Sequence, residues 1–295
     1  MTIEVKEVLK NILYYFYKPL PDKLALKLAF PLRAGEKLEL DNPKTFNQKL
    51  QWYKLFYRDP LMVQCADKYS VREYIKNKGY EHLLVPLYGA YENADEINFS
   101  ELPNSFVLKT TNAMGTNIIV KDKSKINEDN IKKELNKWLK KTPLQIWFGR
   151  EWAYEQIKPR IICEEFIDSN GEDLIDYKFH CFNGTPEVIQ VSMERETNLK
   201  VNYYDTEWNS IKARQNYPNK TGIVEAPPKL KEMLKIAAEF AEDFPYVRVD
   251  FYNIKEKIIF GELTFYSSAG FSKFSPNDLN QYMGELFTLP TKIIL

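Results

Sequence analysis

Residues 246–266 read YVRVDFYNIKEKIIFGELTFY. Two runs rich in β-branched and aromatic residues, 247–253 (VRVDFYN) and 257–265 (KIIFGELTF), flank a short polar turn, the pattern of paired antiparallel strands. Asp250 and Glu262 lie twelve positions apart in these runs. With the turn centred near Glu256 they face each other directly, which brings their Cβ atoms to about 4.5–5.5 Å. Two carboxylates that close repel unless a cation lies between them. Mg²⁺ suits such a pair, being hard, oxygen-seeking and content with one or two carboxylates plus phosphate oxygens. The competing reading is that Arg248 pairs with one of the two. The flanking Val249, Phe251, Ile259 and Phe260 read as buried.

Working upstream, RIICEEF (160–166), DYKFHCF (176–182), PEVIQVS (186–192) and VNYYD (201–205) read as further strands. Asn183-Gly184 between the second and third is a strong hairpin signal. Pro228 opens a helix whose inner side is Leu230, Met233, Leu234, Ala237, Ala238, Ala241 and Phe244. In the first half, SFVLKTT (105–111) and NIIVK (117–121) form two strands joined by Asn112-Ala113-Met114-Gly115-Thr116, and an amphipathic helix spans 128–141. A helix is expected to start at Asp67 as N-cap and to stop at Gly79. Helical patches cover 46–56, and Pro19, Pro21, Pro31, Pro43 and Pro60 punctuate the stretch around them. The fold class is α+β, with mainly antiparallel strands in the second half.

The chain has 295 residues, 41 Lys+Arg against 41 Asp+Glu, and only two His, three Cys and eleven Gly. Zero net charge argues against nucleic acid as a partner. His82 and His180 cannot build a His-rich zinc site, and the separated Cys65, Cys163 and Cys181 form no C-x-x-C. The chemistry must rest on carboxylates, Lys and Arg. Signal-peptide and membrane-span patterns are absent, so the expected location is cytoplasmic. Within the first thirty residues, Val5, Val8, Leu9, Ile12 and Leu13 fall at helical spacing, and Leu24, Leu26, Leu28 and Phe30 alternate with Lys23 and Lys27. A helix packed on the domain is one reading, a helix lying on a membrane surface the other.

There is no G-x-x-x-x-G-K-[ST], no G-x-G-x-x-G, no G-x-S-x-G and no D-x-D. These absences remove the P-loop, the Rossmann fingerprint and the nucleophile elbow, and weaken a metal-dependent glycosyltransferase. Lys109 stands beside Phe106, Val107 and Leu108, where a Lys is costly unless it faces a cleft or an anion. The turn that follows suits backbone N–H groups laid over phosphates. Glu164-Glu165-Phe166-Ile167 marks where the first half passes to the second. Tyr203, Tyr204, Trp208 and Tyr266 read either as sugar-stacking surfaces or as core.

The order of these elements resembles an ATP-grasp enzyme. ADKYSVREYI, LPNSFVLKTTNAMGTNIIV, IKPRIICEEFI, DYKFHCFNG and FPYVRVDFYN with FGELTFY are similar to the TupA-like ATP-grasp family, named for teichuronopeptide biosynthesis, from about Leu38 onward. The resemblance implies two α+β subdomains clasping ATP (66–165 and a metal-binding 166–295) behind a mostly helical segment (1–65). It implies that Arg72 and Lys109 contact phosphate, and that Asn112, Met114 and Gly115 belong to the phosphate loop. Glu164, Glu165, Phe166 and Ile167 would form the adenine hinge, and Asp176 would take a ribose hydroxyl. Lys178, Arg195 and Arg248 would be the catalytic cations. Asp250, Glu262 and Thr264 would hold Mg²⁺. Two departures stand out: the phosphate loop is poor in glycine, and Thr264 occupies a position where the superfamily has Asn.

The implied activity is an ATP- and Mg²⁺-dependent carboxylate–amine ligase that joins an amine or amino acid to a uronic acid of a cell-surface polysaccharide. The alternatives are phosphoryl transfer to a glycan hydroxyl, a polysaccharide glycosyltransferase, and a nucleotide-binding subunit without turnover.

Overall fold

The computed structural model describes residues 16–112, 115–140, 148–168, 173–195, 197–254 and 257–293. Ala113, Met114, Glu256 and the first half of the expected N-terminal helix lie outside the described residues.

Two antiparallel sheets organise the chain. The smaller contains β1 (Leu87–Tyr91), β2 (Phe106–Thr110), β3 (Asn117–Val120) and β4 (Ile161–Glu165), in the order β1-β4-β2-β3. The larger contains β5 (Asp176–Phe182), β6 (Thr185–Met193), β7 (Lys200–Tyr204), β8 (Ser210–Ile211), β9 (Tyr246–Ile254) and β10 (Lys257–Thr264), in the order β10-β9-β5-β6-β7-β8. The α+β class is as the sequence implies. Asn183 and Gly184 both adopt positive φ, 50° and 81°, which is what a two-residue hairpin turn of the primed type requires.

On the larger sheet, period-two alternation sorts the side chains onto two faces. Tyr177, Phe179 and Cys181 of β5 and Val247, Val249 and Phe251 of β9 are buried. The helix Leu230–Ala241 packs on this side through Met233, Ile236, Ala237 and Phe240. The opposite face carries the charges described below. The smaller sheet has its own apolar cluster, with Phe106, Leu108, Ile161 and Cys163 against Ile131 and Leu135 of the helix Glu128–Leu139.

In the N-terminal part run α1 (Asp22–Ala34), α2 (Phe46–Phe56), α3 (Pro60–Ala66) and α4 (Val71–Asn77). Their apolar residues join the core of the larger sheet, for instance Phe46 edge-on to Tyr246 at 5.1 Å. Two local expectations change. The helix expected from Asp67 begins at Val71, because the Asp67 carboxylate accepts the backbone N–H groups of Tyr69 and Ser70 and closes a turn ahead of the helix. The stretch 22–34 is one helix, with Pro31 inside it, and not an alternating segment.

Candidate functional site

Strand register builds the site. Lys178 on β5 pairs with Asp250 on β9, and Asp250 pairs with Glu262 on β10. The three side chains therefore form one row across three strands. Arg248 and Thr264 are paired in the neighbouring row. Asp176 lies two residues along β5 on the same face.

Arg248 ties the row together. Its Nε donates to Asp250 Oδ1 at 2.7 Å and its Nη2 to Asp250 Oδ2 at 2.6 Å. The same Nη2 lies 3.3 Å from Glu262 Oε1 and 3.0 Å from Thr264 Oγ1. Lys178 Nζ donates to Asp250 Oδ2 at 2.8 Å. Burial by itself would raise the Asp250 pKa, but Arg248 and Lys178 hold it below the ordinary carboxylate range. Asp176, also buried, accepts from Arg195 at 2.9 Å, and Arg195 remains more than half exposed.

These contacts decide which atoms fit a cation. Asp250 Oδ2 already accepts two charged donors, while Oδ1 accepts one and keeps a lone pair. Glu262 has its side chain 42% exposed, and its contacts with Arg248 and Thr264 are made through Oε1. One oxygen from each carboxylate fits a hard divalent ion that takes its other ligands from phosphate and water. Among the described residues no group of three or more His, Cys, Asp or Glu is gathered for a metal, so the donors here are two carboxylates. Thr264, expected as the third ligand, uses its hydroxyl otherwise: it accepts from Arg248 and donates to Glu262 Oε1 at 2.9 Å. It orients Glu262.

A second cluster comes from the smaller sheet. Lys109 lies on an interior strand, and its Nζ donates to Glu164 Oε2 at 2.7 Å. Arg72 from α4 reaches Glu164 Oε1 at 3.2 Å and the Val85 carbonyl at 2.8 Å. The buried Glu164 thus holds two of the expected phosphate-binding cations side by side. Glu165 is exposed, and Phe166 and Ile167 are half-buried beyond the strand end, with Lys121 over the Phe166 ring at 5.7 Å. Asn112 is buried, with no hydrogen-bond partner for its Oδ1. Gly115 takes φ 71°, and Thr110 and Thr116 close the turn through their hydroxyls at 2.6 Å.

Lys68 was not among the expected contacts. Burial pushes its ammonium pKa down, and it senses Glu262 from one cluster and Lys109 and Glu164 from the other. It follows Asp67 in the turn before α4, so the Asp67-Lys68 pair in the ADKYSVREYI stretch was the available signal. Of the two readings open for the aromatics, the core one holds. Tyr203, Tyr204 and Tyr266 are buried, and Trp208 stacks on Tyr204 at 4.3 Å. Neither His joins the charged row. His180 is enclosed between Tyr246 and Gln190, and burial together with Arg248 pushes its pKa down to about 3, so the ring is neutral.

A family model described as TupA-like ATPgrasp matches residues 48–288. Solved structures similar to the chain include D-alanine–D-alanine ligase from Bacillus anthracis complexed with ATP (16% identity, 74% of this chain and 55% of that one, TM-score 0.38). The corresponding ligase from Helicobacter pylori (16%, 83% and 69%, 0.42) and an L-amino acid ligase from Bacillus licheniformis (13%, 70% and 44%, 0.42) are also similar. The chain thus spans little more than half the length of the first of these. No curated protein matches it.

Proposed function

The chain belongs to the TupA-like ATP-grasp family, and from that premise we propose that it is an ATP- and Mg²⁺-dependent carboxylate–amine ligase. The observation that carries the proposal is the charged row Lys178–Asp250–Glu262 tied by Arg248, together with the pair Lys109 and Arg72 on Glu164. Polyphosphate is what such a set of cations suits, and the row offers neither a Ser or Cys nucleophile nor a titrating His.

In this reading the acceptor carboxylate attacks the γ-phosphorus of ATP, the bond to the β-phosphate oxygen breaks, and ADP leaves. The amine then attacks the acyl carbon of the mixed anhydride, phosphate leaves, and the amine loses a proton. Bound Mg²⁺ supplies charge neutralisation at the phosphate oxygens. Asp250 and Glu262 hold it, while Arg248 and Thr264 keep both carboxylates in place. Lys109 and Arg72 bind phosphate, steadied by Glu164. Lys178 and Arg195 face the transferred group, offsetting charge as it develops. The proposed acceptor is a uronic acid of a surface polysaccharide, and the proposed amine an amino acid. This substrate class rests on the family resemblance.

Incubation with Mg-ATP, glucuronic or galacturonic acid oligosaccharides and an amino-acid pool, followed by mass spectrometry, tests the reading. Amine-dependent ADP release with an amide product supports it. A phosphorylated sugar formed without amine establishes the phosphotransferase instead, and tight ATP binding without turnover across the acceptor panel establishes a binding subunit.

A further inference from the structure

Helix α1 is apolar on both sides. Its inner side, Ala25, Leu26 and Phe30, is fully buried, and Phe30 meets Phe271 with ring centres 6.1 Å apart. Asp22 at its start pairs with Arg58 at 3.0 Å and Arg150 at 3.4 Å. These contacts and the buried inner side seat the helix on the body with its other side outward. That outer side carries Leu24, Leu28 and Leu32, which are 45%, 54% and 82% exposed, and Phe16 ahead of the helix is 75% exposed. Four-residue spacing sets the three leucines in one line of about 12 Å. Lys23 and Lys27, both exposed, run along one edge of that line. Elsewhere, exposed large apolar residues such as Tyr88, Ile119 and Ile223 lie on separate elements.

We propose that the outer face of α1 docks on an anionic lipid surface, with Leu24, Leu28, Leu32 and Phe16 entering the acyl boundary and Lys23 and Lys27 meeting the headgroups. The charge pattern selects this occupant. A leucine line edged by lysines matches an interface that is apolar within and negative at its rim. Among the described residues no helix is long and apolar enough to cross a membrane, so the contact is peripheral. It holds the catalytic body at the lipid surface independently of which acceptor the site uses.

Flotation of the full-length chain with phosphatidylcholine vesicles, with and without phosphatidylglycerol, is the test. The expected result is binding that needs the anionic lipid and weakens with salt. The Leu24→Ser/Leu28→Ser/Leu32→Ser variant should lose about tenfold or more in bound fraction, and Lys23→Glu/Lys27→Glu should lose the preference for anionic lipid. All three leucines are exposed and away from the charged rows, so nucleotide binding and thermal stability should not change. No binding of the parent chain to anionic vesicles at low salt overturns the proposal. So does unchanged binding of the triple-serine variant, which would assign any membrane contact to residues 1–15. A parent dimer that becomes monomeric in that variant, without vesicle binding, identifies a second copy as the occupant and also overturns it.

Discussion

Asp250 and Glu262 stand opposite each other because of a bulge at Gly261. From Lys257 to Phe260 the strands pair in one register, Lys257 with Ile254 and Phe260 with Phe251. Continued unchanged, that register would set Asp250 against Gly261 and turn Glu262 toward the apolar face. The bulge inserts one residue and returns Glu262 to the charged row.

Gly261→Ala tests that relationship. A Cβ there would meet the Asp250 carbonyl oxygen at 3.0 Å and its carbonyl carbon at 3.4 Å, so β9 must give way. The expected cost is on the order of 1–3 kcal/mol. The larger effect should be on turnover, since the displaced backbone is that of Asp250. Thermal unfolding alongside ADP release checks it; a variant that loses stability but keeps full turnover would show that the spacing of the carboxylates is not critical.

Glu262→Gln and Asp250→Asn should both reduce turnover by more than about 100-fold, yet differ in stability. Glu262 is part-exposed, and its amide keeps the shape and the contact with Thr264. Asp250 is buried and neutralises Arg248 and Lys178 together. Its loss leaves buried positive charge, at a cost of roughly 3–5 kcal/mol. Calorimetric unfolding with product assays separates the two effects. Near-normal ADP release by either variant would remove that residue from the metal site.

The paired strands, the Asn183-Gly184 hairpin and the helix over 46–56 were legible because period-two and period-3.6 patterns and turn chemistry act over a few neighbouring residues. The facing of Asp250 and Glu262 was expected from a turn centred near Glu256, but the bulge that produces it leaves only a glycine as its trace. Arg248 was weighed as a partner of one carboxylate. That it bridges both, together with Thr264, depends on the register of β9 against β10. Lys68 was missed for a related reason: it lies in an irregular turn, and the charges that act on it include Glu262, nearly two hundred residues later. The aromatic residues stayed open between two readings, since a Tyr reads alike whether it faces a sugar or the core.

Lys68→Met offers a direct measure of that missed contribution. The substitution removes a partly desolvated charge that interacts electrostatically with Glu262, Lys109 and Glu164. Affinity for ATP should fall about tenfold from the loss of one cation beside the phosphates. Stability should hold or rise, because the cost of burying the ammonium disappears. Titration calorimetry with ATP and with ADP checks this, and unchanged affinity for both would place Lys68 outside the nucleotide site.

The enclosed His180 gives the protein a defined acid limit. Its pKa falls from an ordinary 6.5 to about 3 in the folded chain, because burial and the nearby Arg248 guanidinium both disfavour the imidazolium. Between those values the unfolded chain binds the extra proton and the folded chain does not. Stability from this group is therefore complete above about pH 6.5 and is lost as pH falls toward 3. At about 1.4 kcal/mol per pH unit the loss is on the order of several kcal/mol. His180→Gln removes the titrating group while keeping a polar side chain that can still bond to the Tyr246 hydroxyl. Denaturant unfolding from pH 7 to pH 4 should show a steep decline for the parent chain and a shallower one for the variant. Parallel curves would mean that the acid sensitivity does not come from His180.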